Sequence, residues 1–335
     1  MTNWKRAVAV ATALFMTPAI AVAEDTMRLE WVMQGQFAGP IVAYEKGYYK
    51  EAGIDLKLLP AGPDLKPAIT VAQGTDTFGI GHPNQVITAR ANDVPLVTVL
   101  QLGQKSATTY IARKDSGIKK VEDMPGHSVG LWFGGDEQEF MAMLRAANVD
   151  PSKVNIISQG FDIVGWLNKQ YEVMQVTRYN ELQLVYAEGY KPEDLVFLNP
   201  EDYGVAFVNT GVFATEAMIK KEPAKVQAMV DATLRGWQDA LSDPEAAAKI
   251  VVKYNGELTE PSQVAQIKAM GDLICAGPTL KGEFGKTDPA SWERVQKVLL
   301  DAKIIEAPIA LVEGYTNTFW DKAPEAYKKI NCPVK

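Results

Sequence analysis

Short apolar segments with the pattern of strands alternate with helical segments along most of this chain, and the alternation starts twice. The first series opens with a strand at 28–33 and a helix at 37–51, because apolar residues recur first with period two and then with helical spacing. The composition changes at 114–117, and a second series opens with a strand at 128–133. Repeated β-α alternation predicts two α/β lobes, each with a mostly parallel sheet flanked by helices.

The first 23 residues have the parts of a secretory signal peptide. Lys5 and Arg6 form a basic start, an apolar run covers 7–16, and the small residues 21–23 precede a cleavage site. The apolar run is too short to span a bilayer, which takes about 20 residues. The sequence therefore predicts a signal peptide at 1–23 and an exported protein, and the lack of a cysteine at the cleavage site argues against a lipid anchor.

Charge and cysteine content narrow the class of protein further. The formal charge is −7 and the charged residues are dispersed, so the chain lacks the basic surface that nucleic-acid binding requires. The chain has two cysteines, Cys275 and Cys332. After export they either form a disulfide or remain two thiols, and the oxidising compartment favours the disulfide.

Motifs of the common enzyme classes do not occur in the sequence. The two histidines, His82 and His127, do not provide a multi-histidine metal site, and no cysteine or carboxylate cluster has zinc-ligand spacing. A nucleotide phosphate-binding loop and a nucleophile elbow are also missing. Glu137 and Glu139 have the spacing of two carboxylates in a first helical turn, where they stabilise the helix dipole, with Asp136 as the cap. We expect no metal, no cofactor and no enzymatic activity.

Several strings carry a family resemblance: Leu29-Glu30-Trp31, the run from Phe37 to Ala43, the run from Glu45 to Ile54, and shorter matches at 79–83, 94–97, 104–105, 116–118, 122–130 and 314–317. Together they resemble solute-binding proteins that serve ABC importers. The resemblance is strongest to the family of thiamine-pyrimidine-precursor binding proteins, whose relatives bind riboflavin, nitrate, sulfonates or taurine. It extends over nearly all of the chain after the predicted signal peptide.

The resemblance implies a two-lobe periplasmic-binding fold of type II, with crossings between the lobes near 111–115 and 203–213. It places the first part of lobe 1 at 24–112, lobe 2 at 113–204, and the second part of lobe 1 with the C-terminal helices at 205–335. It also implies a periplasmic location, a permease in the inner membrane as partner, and a small-molecule ligand between the lobes. We expect a monomer.

The resemblance also suggests which side chains contact the ligand. An aromatic residue at the position of Trp31 stacks on the ligand ring in the pyrimidine-binding relatives, and Tyr179-Asn180-Glu181 resembles their aromatic-Asn-Glu stretch. A carboxylate and an amide accept hydrogen bonds from amino groups of a heterocycle. The alternatives are a core position for Trp31 and a helix start at Asn180 and Glu181.

Loops beyond the carboxyl ends of the predicted strands supply the other candidates, because ligands of parallel sheets bind there. Trp132 is a second aromatic that would face Trp31 when the lobes close. The alternatives are an anion site at the helix start after Gly135 and a tight turn with core aromatics. The acidic residues at 136–139 argue against an anion. Phe37 departs from the histidine of the pyrimidine-binding relatives, which suggests a different and larger heterocycle. The predicted ligand-binding residues are Trp31, Gln34, Phe37, His82, Asn84, Gln104, Trp132, Gly135, Asp162, Tyr179, Asn180 and Glu181.

The predicted ligand is a small flat heterocycle, neutral or cationic, like a thiamine-pyrimidine precursor. The alternatives are riboflavin and an anion such as a sulfonate, taurine or nitrate, for which Thr177 and Arg178 are the suggestive residues. A secreted enzyme is the remote alternative. One enzyme of the wider family makes the thiamine pyrimidine, but it has a Cys-rich motif that this sequence lacks.

Overall fold

The computed structural model describes residues 24–62 and 65–332. The predicted signal peptide at 1–23 lies outside the described residues and remains a prediction from the sequence. Across the described ranges, none of the helices is both long enough and apolar enough to cross a bilayer.

The strands of the described ranges form two five-stranded sheets. They are β1 (Asp25–Arg28), β2 (Leu56–Leu59), β3 (Phe78–Gly81), β4 (Leu96–Gln101), β5 (Thr108–Arg113), β6 (Ser128–Leu131), β7 (Asn155–Ser158), β8 (Val173–Thr177), β9 (Leu195–Leu198) and β10 (Gly211–Thr215). The first sheet has the order β2-β1-β3-β10-β4, and the second has the order β7-β6-β8-β5-β9. In each sheet one strand, β10 or β5, is antiparallel to both of its neighbours. The remaining four strands run in one direction, so the predicted mostly parallel sheets are confirmed.

Helices follow the strands of both sheets. They are α1 (Ala38–Glu45), α2 (Tyr48–Glu51), α3 (Pro67–Ala72), α4 (Pro83–Ala91), α5 (Gln138–Ala146), α6 (Val164–Leu167), α7 (Glu181–Ala187), α8 (Glu216–Lys221), α9 (Pro223–Ser242), α10 (Pro244–Val251), α11 (Glu260–Ile274), α12 (Pro289–Asp301), α13 (Leu311–Gly314) and α14 (Thr318–Lys322). Helices α5 to α7 belong to the second lobe, and α8 to α14 come after the chain has returned to the first sheet at β10.

The chain passes between the sheets at 102–107 and at 204–210. The first of these crossings comes earlier than the sequence indicated. All partners of β5 lie in the second sheet, so the predicted boundary at 112/113 falls inside a second-lobe strand. The change of composition at 114–117 marks the end of β5 and not the crossing itself.

The first strand and the first helix are shorter than predicted. β1 ends at Arg28 and the chain bends at 30–34, so Trp31 lies in a loop and does not end a strand. α1 ends at Glu45 because Gly47 has φ of 76°, a left-handed conformation that glycine adopts without strain. The predicted single helix at 37–51 is therefore α1 and α2 with a break between them.

Two glycines permit the closest helix packing in the first lobe, between α1 and α9. A Cβ atom at Gly39 would lie 2.2 Å from the indole of Trp237, and a Cβ at Gly236 would lie 2.1 Å from the carbonyl oxygen of Gly39. Trp237 is fully buried at this contact. Because protein interiors are close-packed, alanine at either glycine would force the helices apart.

Apolar packing also joins the two lobes. One buried cluster includes Val86 from α4, Phe140 from α5, Phe207 from the second crossing and Trp292 from α12. Helix α12 packs on both α4 and α5. The lobes are therefore connected by a continuous apolar contact as well as by the two crossings.

The predicted disulfide is confirmed. Cys275 and Cys332 are bonded, with their Cα atoms 5.6 Å apart. Cys275 directly follows α11, so the bond ties the end of the described chain to that helix.

Candidate ligand-binding site

A cleft between the two sheets forms a cavity of about 330 Å³ that residues of both lobes line. This volume falls within the range of small-molecule sites, which is roughly 300–1,000 Å³. Nine of the twelve predicted residues line it: Trp31, Gln34, His82, Asn84, Trp132, Gly135, Tyr179, Asn180 and Glu181.

The other three predicted residues lie away from the cavity. Phe37 is fully buried in the apolar core of the first lobe. Gln104 donates from Nε2 to the carbonyl oxygens of Gln101 at 3.2 Å and Lys286 at 3.0 Å, so its amide braces the first crossing. Asp162 is exposed, and its carboxylate accepts from the Val164 amide at the start of α6.

The loop that carries Trp31 is held by α11. Gly35 N donates to Gln263 Oε1 at 2.6 Å, and Gln36 N donates to Gln266 Oε1 at 2.8 Å. Gln34 Nε2 in turn donates to Gln36 Oε1 at 2.6 Å. The side chains of Gln34 and Gln36 are therefore fixed where they face the cleft.

Glu30, His82 and Asn209 form a polar chain on the first-lobe side of the cleft. His82 Nε2 bonds to Glu30 Oε1, and His82 Nδ1 lies 2.6 Å from Asn209 Nδ2. Asn209 Oδ1 accepts from Ala107 N, which ties the two crossings together. Burial lowers the pKa of His82, but the Glu30 carboxylate beside it, with Asp136 and Glu139 farther away, raises that pKa to about 8.

Glu139 connects the second lobe to both crossings. Its Oε1 accepts from Ser106 Oγ at 3.0 Å in the first crossing and from Phe207 N at 2.6 Å in the second. Burial raises the pKa of Glu139 to about 8, although these two hydrogen bonds oppose the rise. Glu139 is thus a carboxyl group that resists ionisation at the base of the cleft.

Glu181 is oriented by its own segment. Its Oε2 accepts from Thr177 Oγ1 at 2.6 Å and from Thr177 N at 2.9 Å, and its Oε1 accepts from Asn180 Nδ2 at 2.6 Å. Asn180 occupies the cap position of α7, but its side chain makes no capping bond. The amide orients Glu181 instead.

Aromatic rings from both lobes meet across the cleft. The ring centroids of Trp31 and Phe161 are 4.6 Å apart and their planes are inclined by 45°. The Trp132 indole N–H donates to Gly160 O at 2.9 Å, which leaves the faces of the indole for contact. Phe133 and Phe161 are 49% and 45% exposed.

The second-lobe turn at 134–135 requires glycine. Gly134 has φ of 95° and Gly135 has φ of 115°, in a region that other residues rarely adopt. The helix after this turn begins at Gln138, so the prediction that Asp136 caps it is wrong. Glu137 Oε2 accepts from Gly135 N instead and so stabilises the turn.

Sequence reasoning missed several residues that line the cavity, among them Glu30, Gln36, Lys66, Asp136, Glu139, Phe161 and Asn209. Glu30 was missed because β1 was predicted to end at 33, whereas its real end at Arg28 moves the cleft loop earlier. The loop rule of parallel sheets finds Glu30 once the strand end is correct. Glu139 does lie in the first turn of α5, as predicted, but it is buried and accepts hydrogen bonds from both crossings.

The cleft is rich in hydrogen-bond acceptors. Carboxyl groups that line it are Glu30, Asp136, Glu139 and Glu181, while the basic side chains there are Lys66 and His82. Withdrawal from water raises the pKa of Asp136. The charge of His82 lowers this pKa, and the charge of Glu30 raises it. An ionised carboxylate only accepts hydrogen bonds, so the carboxylates of Glu30 and Glu181 suit a ligand that donates them.

The chain is similar in sequence to several known proteins. The chain is 26% identical over 88% of its length to riboflavin-binding protein RibY of Chloroflexus aurantiacus, covering 85% of that protein. It is 25% identical to the formylaminopyrimidine-binding protein of Halalkalibacterium halodurans, over 86% of this chain and 88% of the relative. It is 24% identical to a 4-amino-5-hydroxymethyl-2-methylpyrimidine phosphate synthase of Legionella pneumophila, over 92% and 96% of the two chains.

A solved structure shows the same fold. The alkanesulfonate-binding protein SsuA of Xanthomonas axonopodis superposes with a TM-score of 0.66 at 12% identity, over 88% of this chain and 98% of SsuA. The two-lobe architecture is thus that of periplasmic binding proteins, as the sequence predicted. The model of the family described as NMT1/THI5 like matches residues 34–247, more than half of the chain, and the protein belongs to the NMT1/THI5-like family.

Proposed function

We propose that this protein is the solute-binding component of an ABC importer and captures a small flat heterocycle of the thiamine-pyrimidine-precursor class. One observation carries the proposal: aromatic rings of both lobes line the same cavity as Glu30, whose buried carboxylate oxygen Oε2 has no hydrogen-bond partner among the described residues. Membership of the NMT1/THI5-like family supports the proposal, because its relatives include a protein named for binding formylaminopyrimidine.

The rings explain why the ligand is flat. Trp31 of the first lobe and Trp132 of the second both line the cleft, so a planar ring system there contacts aromatic surface of both lobes, while Trp31 and Phe161 already touch each other. Offset and tilted aromatic contacts contribute about 0.5–1.5 kcal/mol each beyond the buried area. A compact inorganic anion such as nitrate gains little from such surfaces.

Glu30 explains why the ligand bears N–H donors. One of its oxygens bonds to His82, and the other is buried without a donor. A buried acceptor left unpaired costs about 1–3 kcal/mol, and more when it is charged. An amino group of a heterocycle removes that cost, and Glu181 provides a second acceptor from the opposite lobe.

The arrangement disfavours the anion alternative. Arg178, the guanidinium that suggested an anion site, donates to the Glu201 carboxylate at 3.0 Å and does not line the cavity. Lys66 is the lysine that lines it, and an anion beside Lys66 would share the cavity with the carboxylates of Glu30 and Glu181. Riboflavin remains the second candidate, because the exposed rings of Phe133 and Phe161 extend the apolar surface of the cleft.

We further propose that the mature chain acts in the periplasm as a monomer and delivers its ligand to an inner-membrane permease. The predicted signal peptide and the family support this role. The dispersed acidic charge argues against nucleic acid as a partner. We also infer binding without catalysis, because the sequence lacks the Cys-rich motif of the pyrimidine-making enzyme of the wider family.

Thermal unfolding and calorimetry with 4-amino-5-hydroxymethyl-2-methylpyrimidine, formylaminopyrimidine, riboflavin, taurine and nitrate test the proposal. A true ligand at about 100 times its Kd stabilises the fold by about 2.7 kcal/mol. We expect the aminopyrimidines to do so. Stabilisation by taurine or nitrate alone would refute the ligand class, and stabilisation by riboflavin alone would favour the second candidate.

Glu30→Gln tests the acceptor directly. We expect it to weaken aminopyrimidine binding about tenfold or more, because it removes a charge-assisted hydrogen bond. Glu193→Gln is the matched control, since Glu193 is an exposed carboxylate outside the cleft. Equal affinities for the two variants would show that Glu30 does not receive the ligand.

A further inference from the structure

Helix α11 contacts both lobes although it lies outside the cavity. It follows β10 with the first-lobe helices, and it packs on α7 of the second lobe. Its two buried glutamines, Gln263 and Gln266, are each 2% exposed and are separated by one helical turn. Both hold the first-lobe loop at 35–36, but they differ in what else they reach.

Gln266 uses both ends of its amide, one toward each lobe. Its Oε1 accepts from Gln36 N at 2.8 Å, and its Nε2 donates to Asn180 Oδ1 at 3.0 Å. Asn180 in turn donates from Nδ2 to Glu181 Oε1 at 2.6 Å. These hydrogen bonds form one directed chain from the first-lobe loop to the Glu181 carboxylate across the cleft.

We propose that Gln266 is a positioning residue that couples closure of the two lobes to the orientation of the Glu181 carboxylate. The proposal rests on the proposed function, because it assigns Gln266 a part in capturing the ligand. It makes α11 a sensor of closure that never touches the ligand, since neither of its glutamines lines the cavity.

The chemistry of the amide supports this role. Asn180 and Gln266 lie on opposite lobes, so separation of the lobes breaks their hydrogen bond. Asn180 is then free to rotate, and Glu181 Oε1 loses its donor, whereas Glu181 Oε2 keeps its two bonds from Thr177. Closure restores both bonds together, and hydrogen bonds to a charged group are worth about 1.5–3 kcal/mol. A carboxylate at position 266 keeps the acceptor but lacks the donor, which makes the amide specific for this task.

Gln263 provides a matched control on the same helix. Its Oε1 accepts from Gly35 N at 2.6 Å, but its Nε2 donates to the neighbouring Ser262 Oγ at 3.1 Å and makes no bond to the second lobe. Gln263→Ala therefore removes a loop contact of the same kind while it leaves the cross-lobe chain intact.

The test compares Gln266→Ala, Gln266→Glu and Gln263→Ala in the full exported protein, with 4-amino-5-hydroxymethyl-2-methylpyrimidine as the probe. We expect both Gln266 variants to weaken probe affinity about tenfold, the equivalent of about 1.4 kcal/mol. The loss is expected in a faster dissociation rate, because the closed state is the one destabilised. Gln263→Ala is expected to have a clearly smaller effect. Equal effects at the two positions overturn the proposal.

Solution X-ray scattering without ligand supplies a readout that does not depend on the probe. We expect the Gln266 variants to have a larger radius of gyration than the wild type, and Gln263→Ala to match the wild type. If the probe does not bind to the wild type, the ligand class fails, and the scattering still decides whether Gln266 stabilises closure. Unchanged scattering in both Gln266 variants overturns the proposal.

A double-mutant cycle with Asn180→Ala isolates the link itself. If Gln266 acts through Asn180, adding Asn180→Ala to Gln266→Ala changes the radius of gyration and the dissociation rate little further. The same addition to Gln263→Ala is expected to have its full effect. Asn180→Ala also serves if Gln266→Ala fails to fold, because it breaks the same bond from the partly exposed side. Additive effects in the Gln266 cycle overturn the proposal.

Discussion

The two lobes share one sheet topology but present different surfaces to the cleft. In the two orders, β2-β1-β3-β10-β4 and β7-β6-β8-β5-β9, the fourth strand is the antiparallel one. On the first lobe, the side chains of Gln34 and Gln36 are buried and fixed by hydrogen bonds. On the second lobe, the rings of Phe133 and Phe161 are nearly half exposed. We infer that the first lobe is a preformed receptor, whereas the second adapts to what it covers.

The difference between the two cleft surfaces follows from the position of the C-terminal third of the chain, which packs on the first lobe. After the return crossing, α9 with 20 residues and α11 with 15 residues pack beside the first sheet. The second lobe has α5 with 9 residues, α7 with 7 and α6 with 4. Two glutamines of α11 hold the first-lobe loop at 35–36 by hydrogen bonds. A preformed site then avoids part of the ordering cost at the moment of binding.

The largest expected effect tests the rigidity of the first lobe. The bond between Cys275 and Cys332 closes a loop of sequence separation 57 and anchors α11. Replacing both cysteines by serine is expected to lower the free energy of unfolding by about 4 kcal/mol, because the unfolded chain loses its cross-link. Urea unfolding of the double variant and the wild type measures this loss.

Limited proteolysis of the same double variant locates the effect. We expect new cleavage sites in the segment after α11 and none in α5 to α7. Equal destabilisation of both lobes would contradict the inference that the bond specifically stabilises the first lobe. A loss below about 1 kcal/mol would show that the bond adds little to the packing of the tail.

The second expected effect concerns Glu139, where the second lobe meets both crossings. Its pKa in the folded protein is raised to about 8 from an ordinary value of 4.5, so the folded state binds more protons between these two values. Stability is therefore greatest below pH 4.5 for this group and falls as pH rises toward 8, by at most about 1.4 kcal/mol per pH unit.

Glu139→Gln removes this titration and keeps an acceptor for Ser106 and Phe207. We expect unfolding free energies measured from pH 5 to 8.5 to vary less than in the wild type, with higher stability at pH 8. Some pH dependence remains from His82, whose raised pKa gives a loss in the same direction between 6.5 and about 8. The exposed Glu193→Gln is the control, and an unchanged slope in Glu139→Gln would rule out a neutral carboxyl group there.

The local pattern of apolar residues predicted the helices and strands, but contacts between residues distant in sequence determined the shapes of the loops. The apolar residues of helices α9 and α12 repeat at helical spacing, which is a local signal that predicts a helix. The loop at 34–36 takes its shape from Gln263 and Gln266, which lie about 230 residues away along the chain. A single sequence contains no local signal for such a pairing.

The candidate site divides in the same way. Trp132 and Glu181 were identified by their position after strands, whereas Trp31 was identified as the end of a predicted strand and by a family resemblance, although it lies in the loop after β1. The prediction for Phe37 is wrong because Phe37 directly precedes α1, in the 3-10 turn at 35–37, and its side chain is buried in the core of the first lobe. The burial of Glu139 could not be predicted locally, because it depends on a hydrogen bond from the backbone of the second crossing.

The smallest expected effect compares the two lobes directly through one aromatic pair. Trp31 sits on the braced loop, and Phe161 on the second lobe is 45% exposed. We expect Trp31→Ala to weaken aminopyrimidine binding by about 2 kcal/mol, roughly thirtyfold, because it removes a preorganised apolar face. We expect Phe161→Ala to cost about 0.5–1 kcal/mol, since a mobile ring loses entropy when it packs.

Calorimetry of both variants and the wild type makes the comparison, and thermal unfolding confirms that each variant folds. A preformed receptor predicts that the first-lobe residue matters more although the two rings touch each other. Equal losses would show that both lobes are organised only on binding. A larger loss for Phe161→Ala would reverse the assignment, because the second lobe would then supply the fixed surface and the first would close over it.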